Sequence, residues 1–334
     1  MKSAAALFLA LLVGSGSAAA QTRAVETTAS AGASTEDVAA GATQIRAFGD
    51  AVSHVRFFAE ASWGARSDDD TDAFGAAYPY SNRMQVTEAY GERVFEPRRA
   101  VVDVRAGRFR TPFGISSASE HAYGAFLRAP LIRYDGYFAL SNNYLEQGAD
   151  VVAGIPQLLV EGSVGRPADI GTAIRRPGDD TTVRVQASLG SLIVGASRLD
   201  TNPYLPATFA KGRMSFTGVD ARWMRSGVEL RGEWITGQPF DGTTTSGWYA
   251  DAIVHRVAMG PVTAVARVER LDYDTVPAFA LHARREVVGA RVQVIRPLAV
   301  QVDLVHQTGA IAEYGAAALD VGVTFSARRS FVAK

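Results

Sequence analysis

The chain has no cysteine, which excludes a disulfide framework and thiolate metal sites. Lysine is nearly absent as well: Lys2, Lys211 and Lys334 are the only three. Charge of one sign is lacking too. Thirty-four basic and 34 acidic residues balance to a formal net charge of zero, so no bulk attraction to nucleic acid is expected. Beyond the N-terminus no apolar run approaches the ~18 residues of a membrane-spanning helix. Catalytic signatures are missing: there is no Gly-x-Ser-x-Gly elbow, no His-x-x-x-His pair and no glycine-rich phosphate loop opening a helix. The five histidines (His54, His121, His255, His282, His306) are scattered rather than placed beside a nucleophile. No enzymatic activity, metal or cofactor is expected.

What is present begins at the N-terminus. A positive start at Met1-Lys2, an apolar stretch from Ala4 to Val13 and the small residues Ala18-Ala19-Ala20 read as a signal peptide over 1–20, cleaved after Ala20. Residues 21–43, rich in Ala, Thr, Ser and Gly, read as a flexible leader. Residues 44–51 could be a short strand or a lead-in. Hydrophobic residues make up 47% of the chain, yet from His54 onward they are spread in alternation. Val55, Phe57, Ala59, Ala61 and Trp63 share one face, and Arg56, Glu60 and Ser62 the other.

The stretch 83–114 organises the rest. Two alternating segments flank a tight turn at Glu96-Pro97-Arg98, and the second stops at Thr111-Pro112, where proline cannot donate to a ladder. A long segment, 111–144, follows. From 145 the unit repeats: short turns at 154–156, 190–191, 225–227, 259–261 and 295–297 alternate with loops of about nine residues or more. Short turns at one end and long loops at the other are the asymmetry of an outer-membrane barrel. The expected fold is therefore an all-β, transmembrane antiparallel β-barrel over 44–334. Its strand count is 14 from His54, or 16 if a hairpin lies within 111–144 or forms with 44–51. A soluble sandwich also alternates. Arg and Glu together on one face, and aromatics near strand ends (Phe95, Trp234, Trp248, Phe325), favour the barrel.

Alternation assigns Arg56, Asp103, Arg105, Arg184, Arg222, Arg231, Arg267 and Arg291 to the inner wall, with Glu60, Asp220, Glu229, Glu233, Glu269 and Asp303 among them. Both signs predict a cross-bridged wall, not a one-signed funnel. Segment 111–144 holds His121, Arg128, Arg133 and Asp135 among aromatic residues and is the candidate constriction. The alternative is an external loop over the barrel mouth or a subunit contact.

The stretch Ala106–Ile115, AGRFRTPFGI, resembles the Gly-x-Phe-x-x-Pro-Phe-Gly signature of porins related to the phosphate-selective O/P group, carried here by Gly107, Phe109, Pro112, Phe113 and Gly114. Glu88-Ala89-Tyr90 and Leu145-Glu146-Gln147-Gly148 sit where that group has comparable segments. The final alternating strand, ending on Phe325, looks like the terminal strand of outer-membrane proteins. The resemblance implies a channel in a Gram-negative-type outer membrane, often a homotrimer, with a long loop folded inward. Two departures stand out. With only three lysines, one of them in the signal stretch, no lysine trap for phosphate is expected, and ARRSFVAK continues past Phe325, either as more strand or as a basic tail. The expected function is passive diffusion of small hydrophilic solutes or ions, with a weak anion or carboxylate preference resting on Arg105, Arg128 and Arg133. The expected partners are outer-membrane lipid and the permeating solutes. The alternative is a non-conducting barrel serving as scaffold or adhesion protein.

Overall fold

The computed structural model describes residues 21–52, 55–67, 84–95, 100–115, 126–133, 145–168, 179–201, 214–238, 243–257, 260–275, 279–309 and 317–333. Sixteen strands run in sequence: β1 Gln21–Ser34, β2 Ala39–Val52, β3 Val55–Arg66, β4 Gln85–Phe95, β5 Val101–Arg110, β6 Leu145–Ile155, β7 Leu158–Ala168, β8 Asp180–Leu189, β9 Leu192–Thr201, β10 Met214–Arg225, β11 Val228–Gln238, β12 Thr243–Val254, β13 Val262–Thr275, β14 Phe279–Ile295, β15 Leu298–Gly309 and β16 Ala317–Ala333. Each pairs antiparallel with its sequence neighbours, and β1 closes the barrel on β16. Closure pairs each strand on both sides and leaves no exposed sheet edge, the condition for a sheet to cross a bilayer.

The count of sixteen comes from a hairpin that includes residues 44–51, one of the two places expected, and not from one within 111–144. Residues 21–43 are no flexible leader: they form β1 and the start of β2, with Thr28 opposite Gln44 and Gln21 opposite Ala333. The barrel therefore begins at 21, not 44. The connections 35–38, 239–242 and 276–278 are also short although they lie at the long-loop end, against the expected loops of about nine residues or more. The stretch after Phe325 is not a hanging tail, because β16 continues through Phe331 against Arg23. Residues 1–20, assigned to the signal peptide, lie outside the described residues, as do residues 96–99, where the tight turn is expected.

The wall follows from alternation. Outward positions carry exposed Val183, Val185, Leu230, Val288, Leu304, Val321 and Val323. Trp234 stands directly opposite Trp248 on the same outer face. Such a contiguous apolar belt is tolerable only against lipid. Turn chemistry sets the register. Ser226 and Gly227 both have positive φ (51° and 81°), the two-residue hairpin turn whose twist matches that of the strands. Gly107, with φ 141°, lies where a Cβ would come within 2.3 Å of the Ala89 carbonyl oxygen, so only glycine fits β5 against β4 there.

The apolar core lies inside the barrel and to one side. Leu199, Met214, Phe216, Ile235, Tyr249, Leu271 and Ala283 project inward from β9–β14 and pack with Phe113, Leu131 and Ile132 of the 111–144 segment. A second cluster joins Phe126 to Ile253, Val265, Val287, Val305 and Ala318.

Candidate solute pathway in the barrel lumen

Strand register turns all eight assigned wall residues inward. Going round the wall, Arg56 faces Glu92, Glu92 faces Arg105 and Arg105 faces Asp150. On the opposite side Arg222 faces Arg231, Arg231 faces Asp251 and Asp251 faces Arg267. Asp103 and Arg105 share a face of β5, Arg184 lies opposite Ser197 and Arg291 opposite Gln301.

Most of these charges are paired, across one or two strands. Arg105 bridges Asp150 (2.9 Å) and Glu161 (3.0 Å). Arg184 Nη1 donates to Asp220 (2.6 Å) and to Ser197 Oγ (2.9 Å). Glu60 is held by Arg46 and Arg110, both at 2.8 Å, and accepts from Thr87 Oγ1 at 2.6 Å. Asp251 sits between Arg231 and Arg267 at 2.9 and 2.7 Å. Buried pairs of this kind gain little over an apolar substitute, but removing one partner strands a charge. The more open guanidiniums are Arg56, 58% exposed and 2.9 Å from Glu92, and Arg222, 38% exposed and 2.9 Å from Glu229.

Residues 126–133 of the 111–144 segment lie within the lumen against β12–β16 and are clasped by wall side chains. The backbone N–H of Leu127 donates to Asp303 Oδ2 (2.8 Å), and that of Leu131 to Glu269 Oε2 (2.5 Å). In return Arg267 Nη1 donates to the Arg128 carbonyl (2.8 Å) and Arg285 Nη2 to the Ala129 carbonyl (2.6 Å). Arg267 and Arg285 are wholly buried, and the Arg267 guanidinium lies 4.0 Å from the Phe126 ring centroid. The side chain of Arg128 spans the wall to Asp320 (2.6 Å) and Glu36 (2.8 Å). An irregular segment at membrane depth needs its backbone groups satisfied, and the contacts to Leu127, Arg128, Ala129 and Leu131 serve four of them.

Three inward-facing glycines make room for the segment. A Cβ at Gly218 would lie 3.0 Å from the Phe113 ring, one at Gly247 2.6 Å from Ile132 Cγ2, and one at Gly322 2.4 Å from Leu127 Cδ2. Neither these seats nor Asp251, Arg285 and Asp320 were singled out from sequence. The available signal is a glycine in mid-strand at an inward position, the mark of a close approach.

Of the constriction residues, Arg128 lies in the clasped segment, and Arg133 ends a 3-10 turn, Leu131–Arg133. His121 and Asp135 lie outside the described residues. Within the Ala106–Ile115 motif, Gly107 permits the tight β4–β5 approach, Phe109 is buried with the Arg105 guanidinium 4.7 Å from its ring centroid, and Phe113 enters the apolar cluster after Pro112 ends the strand. The Gly114 N–H donates to Ser197 Oγ (3.2 Å) across the lumen. Among the described residues no group of three or more His, Asp or Glu could hold a metal ion.

No protein-family model matches the chain, and no curated protein matches it. Its fold is similar to several solved barrels. In vitro folded OmpT, an outer membrane protein of Vibrio cholerae in its trimer form, superimposes with TM-score 0.64 at 11% identity, over 92% of this chain and 100% of that one. Salmonella typhi OmpF in complex with daunomycin gives 0.61 at 11% identity, over 92% and 97%. An anion-selective porin from Comamonas acidovorans gives 0.56 at 13% identity, over 93% and 98%. At such identities the likeness speaks to architecture alone: the chain has the fold of a porin-like outer-membrane β-barrel.

Proposed function

We propose that this barrel is an outer-membrane channel for passive diffusion of small hydrophilic solutes or ions, exported by the signal peptide over 1–20. The observation that carries the reading is the inversion of the wall. The outer face is an apolar belt, the inner face a lattice of paired charges, and a segment is anchored against the inner wall at mid-height. A charged inner face serves water and solutes rather than lipid. The motif at 106–115 supports the same reading and carries the finer likeness to the phosphate-selective group. The trimer form of OmpT supports a homotrimer for this chain.

The weak anion preference is best placed on Arg56 and Arg222. Arg128 and Arg105 are each held by two carboxylates and largely buried, whereas Arg56 and Arg222, though each pairs with one carboxylate, stay open to the lumen. Replacing Arg56 and Arg222 together by Gln is expected to shift the zero-current potential in a potassium chloride gradient toward cation selectivity; an unchanged potential refutes the assignment. A second reading, a plugged scaffold barrel, draws on the apolar clusters that fill the lumen beside β9–β15. It predicts a folded barrel that carries no current.

A further inference from the structure

Three cross-strand rows lie one above another on the inner face of β2, β3 and β4. The upper row is Arg46, Glu60 and Glu88; the middle row is Phe48, Phe58 and Tyr90; the lower row is Asp50, Arg56 and Glu92. The middle row is out of place for a wall that only needs to be wet. Its rings belong to neither apolar cluster and are only half-buried. They are stacked nonetheless. Phe48 and Phe58 have centroids 6.4 Å apart at 22°, and Phe58 and Tyr90 5.2 Å apart at 18°. Near-parallel rings at these separations are offset, so each leaves part of its face uncovered. Guanidiniums close both ends: Arg328 lies 5.3 Å from the Phe48 centroid and Arg105 5.6 Å from that of Tyr90.

We propose that this aromatic row, with Arg56 beneath it, is a binding site for small aromatic monocarboxylates passing through the lumen. A flat ring can join the offset stack beside Phe58. Two residues along the same strand, about 7 Å away, Arg56 presents the most exposed guanidinium of the group, held by Glu92 from one side. That span matches a ring with a directly attached carboxylate reaching a guanidinium through a charge-assisted hydrogen bond. Acetate has the charge without the ring, and cyclohexanecarboxylate has the ring volume without the flat π-face. The row therefore ranks benzoate above both. The proposal deepens the channel reading by naming a solute class and rests on that reading for the route by which the solute arrives.

The test is saturation-transfer NMR titration of the detergent-folded barrel with benzoate, acetate and cyclohexanecarboxylate, with potassium chloride conductance measured on the same preparations. Benzoate is expected to bind at least several-fold more tightly than either comparator. Phe58→Leu should weaken benzoate several-fold and leave acetate unchanged, and Arg56→Gln should weaken both acids. If Phe58→Leu fails to fold, Tyr90→Leu takes its place. Equal binding of the three acids, or folded variants that bind benzoate as the wild type does, overturns the site. Ring-dependent binding in a barrel that passes no current keeps the site and removes the channel reading. Current without ring-dependent binding removes the site and keeps the channel.

Discussion

Replacing Arg128 by Met should unseat the inward segment. The guanidinium is 3% exposed and its partner Asp320 is wholly buried. Its Nε and Nη2 donate to Asp320 at 2.6 and 3.0 Å, and Nη2 also reaches Glu36 at 2.8 Å and Ser34 Oγ at 3.3 Å. Methionine keeps the aliphatic stem but leaves Asp320 as a buried charge without this cation. Breaking such a pair typically costs about 3–5 kcal/mol, which shifts the balance between seated and released segment by about a hundredfold to a few thousandfold. The backbone clasp through Asp303, Glu269, Arg267 and Arg285 opposes release. The expected outcome is therefore a fluctuating segment, seen as larger or noisier single-channel conductance. The double variant Arg128→Met with Asp320→Leu removes both charges and should restore most of the quiet state, since a buried pair replaced by apolar groups is often neutral. Conductance and noise identical to wild type in the single variant would refute the claim that this contact holds the segment.

Two further outcomes follow from the wall. Gly107→Val places a side chain against the backbone of Ala89 and Tyr90 at positive φ; it should lower refolding yield into detergent, read as the heat-modifiable band on a gel, whereas Gly91→Ala, whose nearest heavy atom is 3.8 Å from the added Cβ, should not. Leu304→Arg puts a charge on the lipid face of β15, where Leu304 is 61% exposed; about 2–4 kcal/mol of unfolding free energy should be lost in bilayer vesicles, and a loss under 1 kcal/mol would place that position outside the hydrocarbon.

The barrel was legible in sequence wherever the two faces differ chemically. In β11, Leu230 and Trp234 alternate with Glu229, Arg231 and Glu233, and the structure puts the first set out and the second in. In the hairpin of β1 and β2 only residues 44–51 were legible as a possible strand; β1 reads as a leader because it lacks that contrast. Ala29, Ala31 and Ala33 face outward and Thr28, Ser30 and Gly32 inward, so small residues line both faces and a period of two leaves no trace in hydrophobicity. Inward orientation of the wall arginines was readable residue by residue, because it depends on local periodicity alone. Their partners were not. Arg105 and Glu161 are 56 positions apart, and Arg128 and Asp320 are 192 apart. Such meetings depend on strand tilt and barrel closure, which no local pattern encodes. For the same reason Arg128 was read as an open cation although its charge is buried and neutralised.

The most direct test of the channel is single-channel recording of the refolded wild-type barrel in a planar bilayer under a salt gradient. Discrete conductance steps with a defined zero-current potential are the predicted result. A heat-modifiable, fully folded barrel that inserts and gives no steps would contradict it, and would leave the inward segment as a plug rather than a constriction.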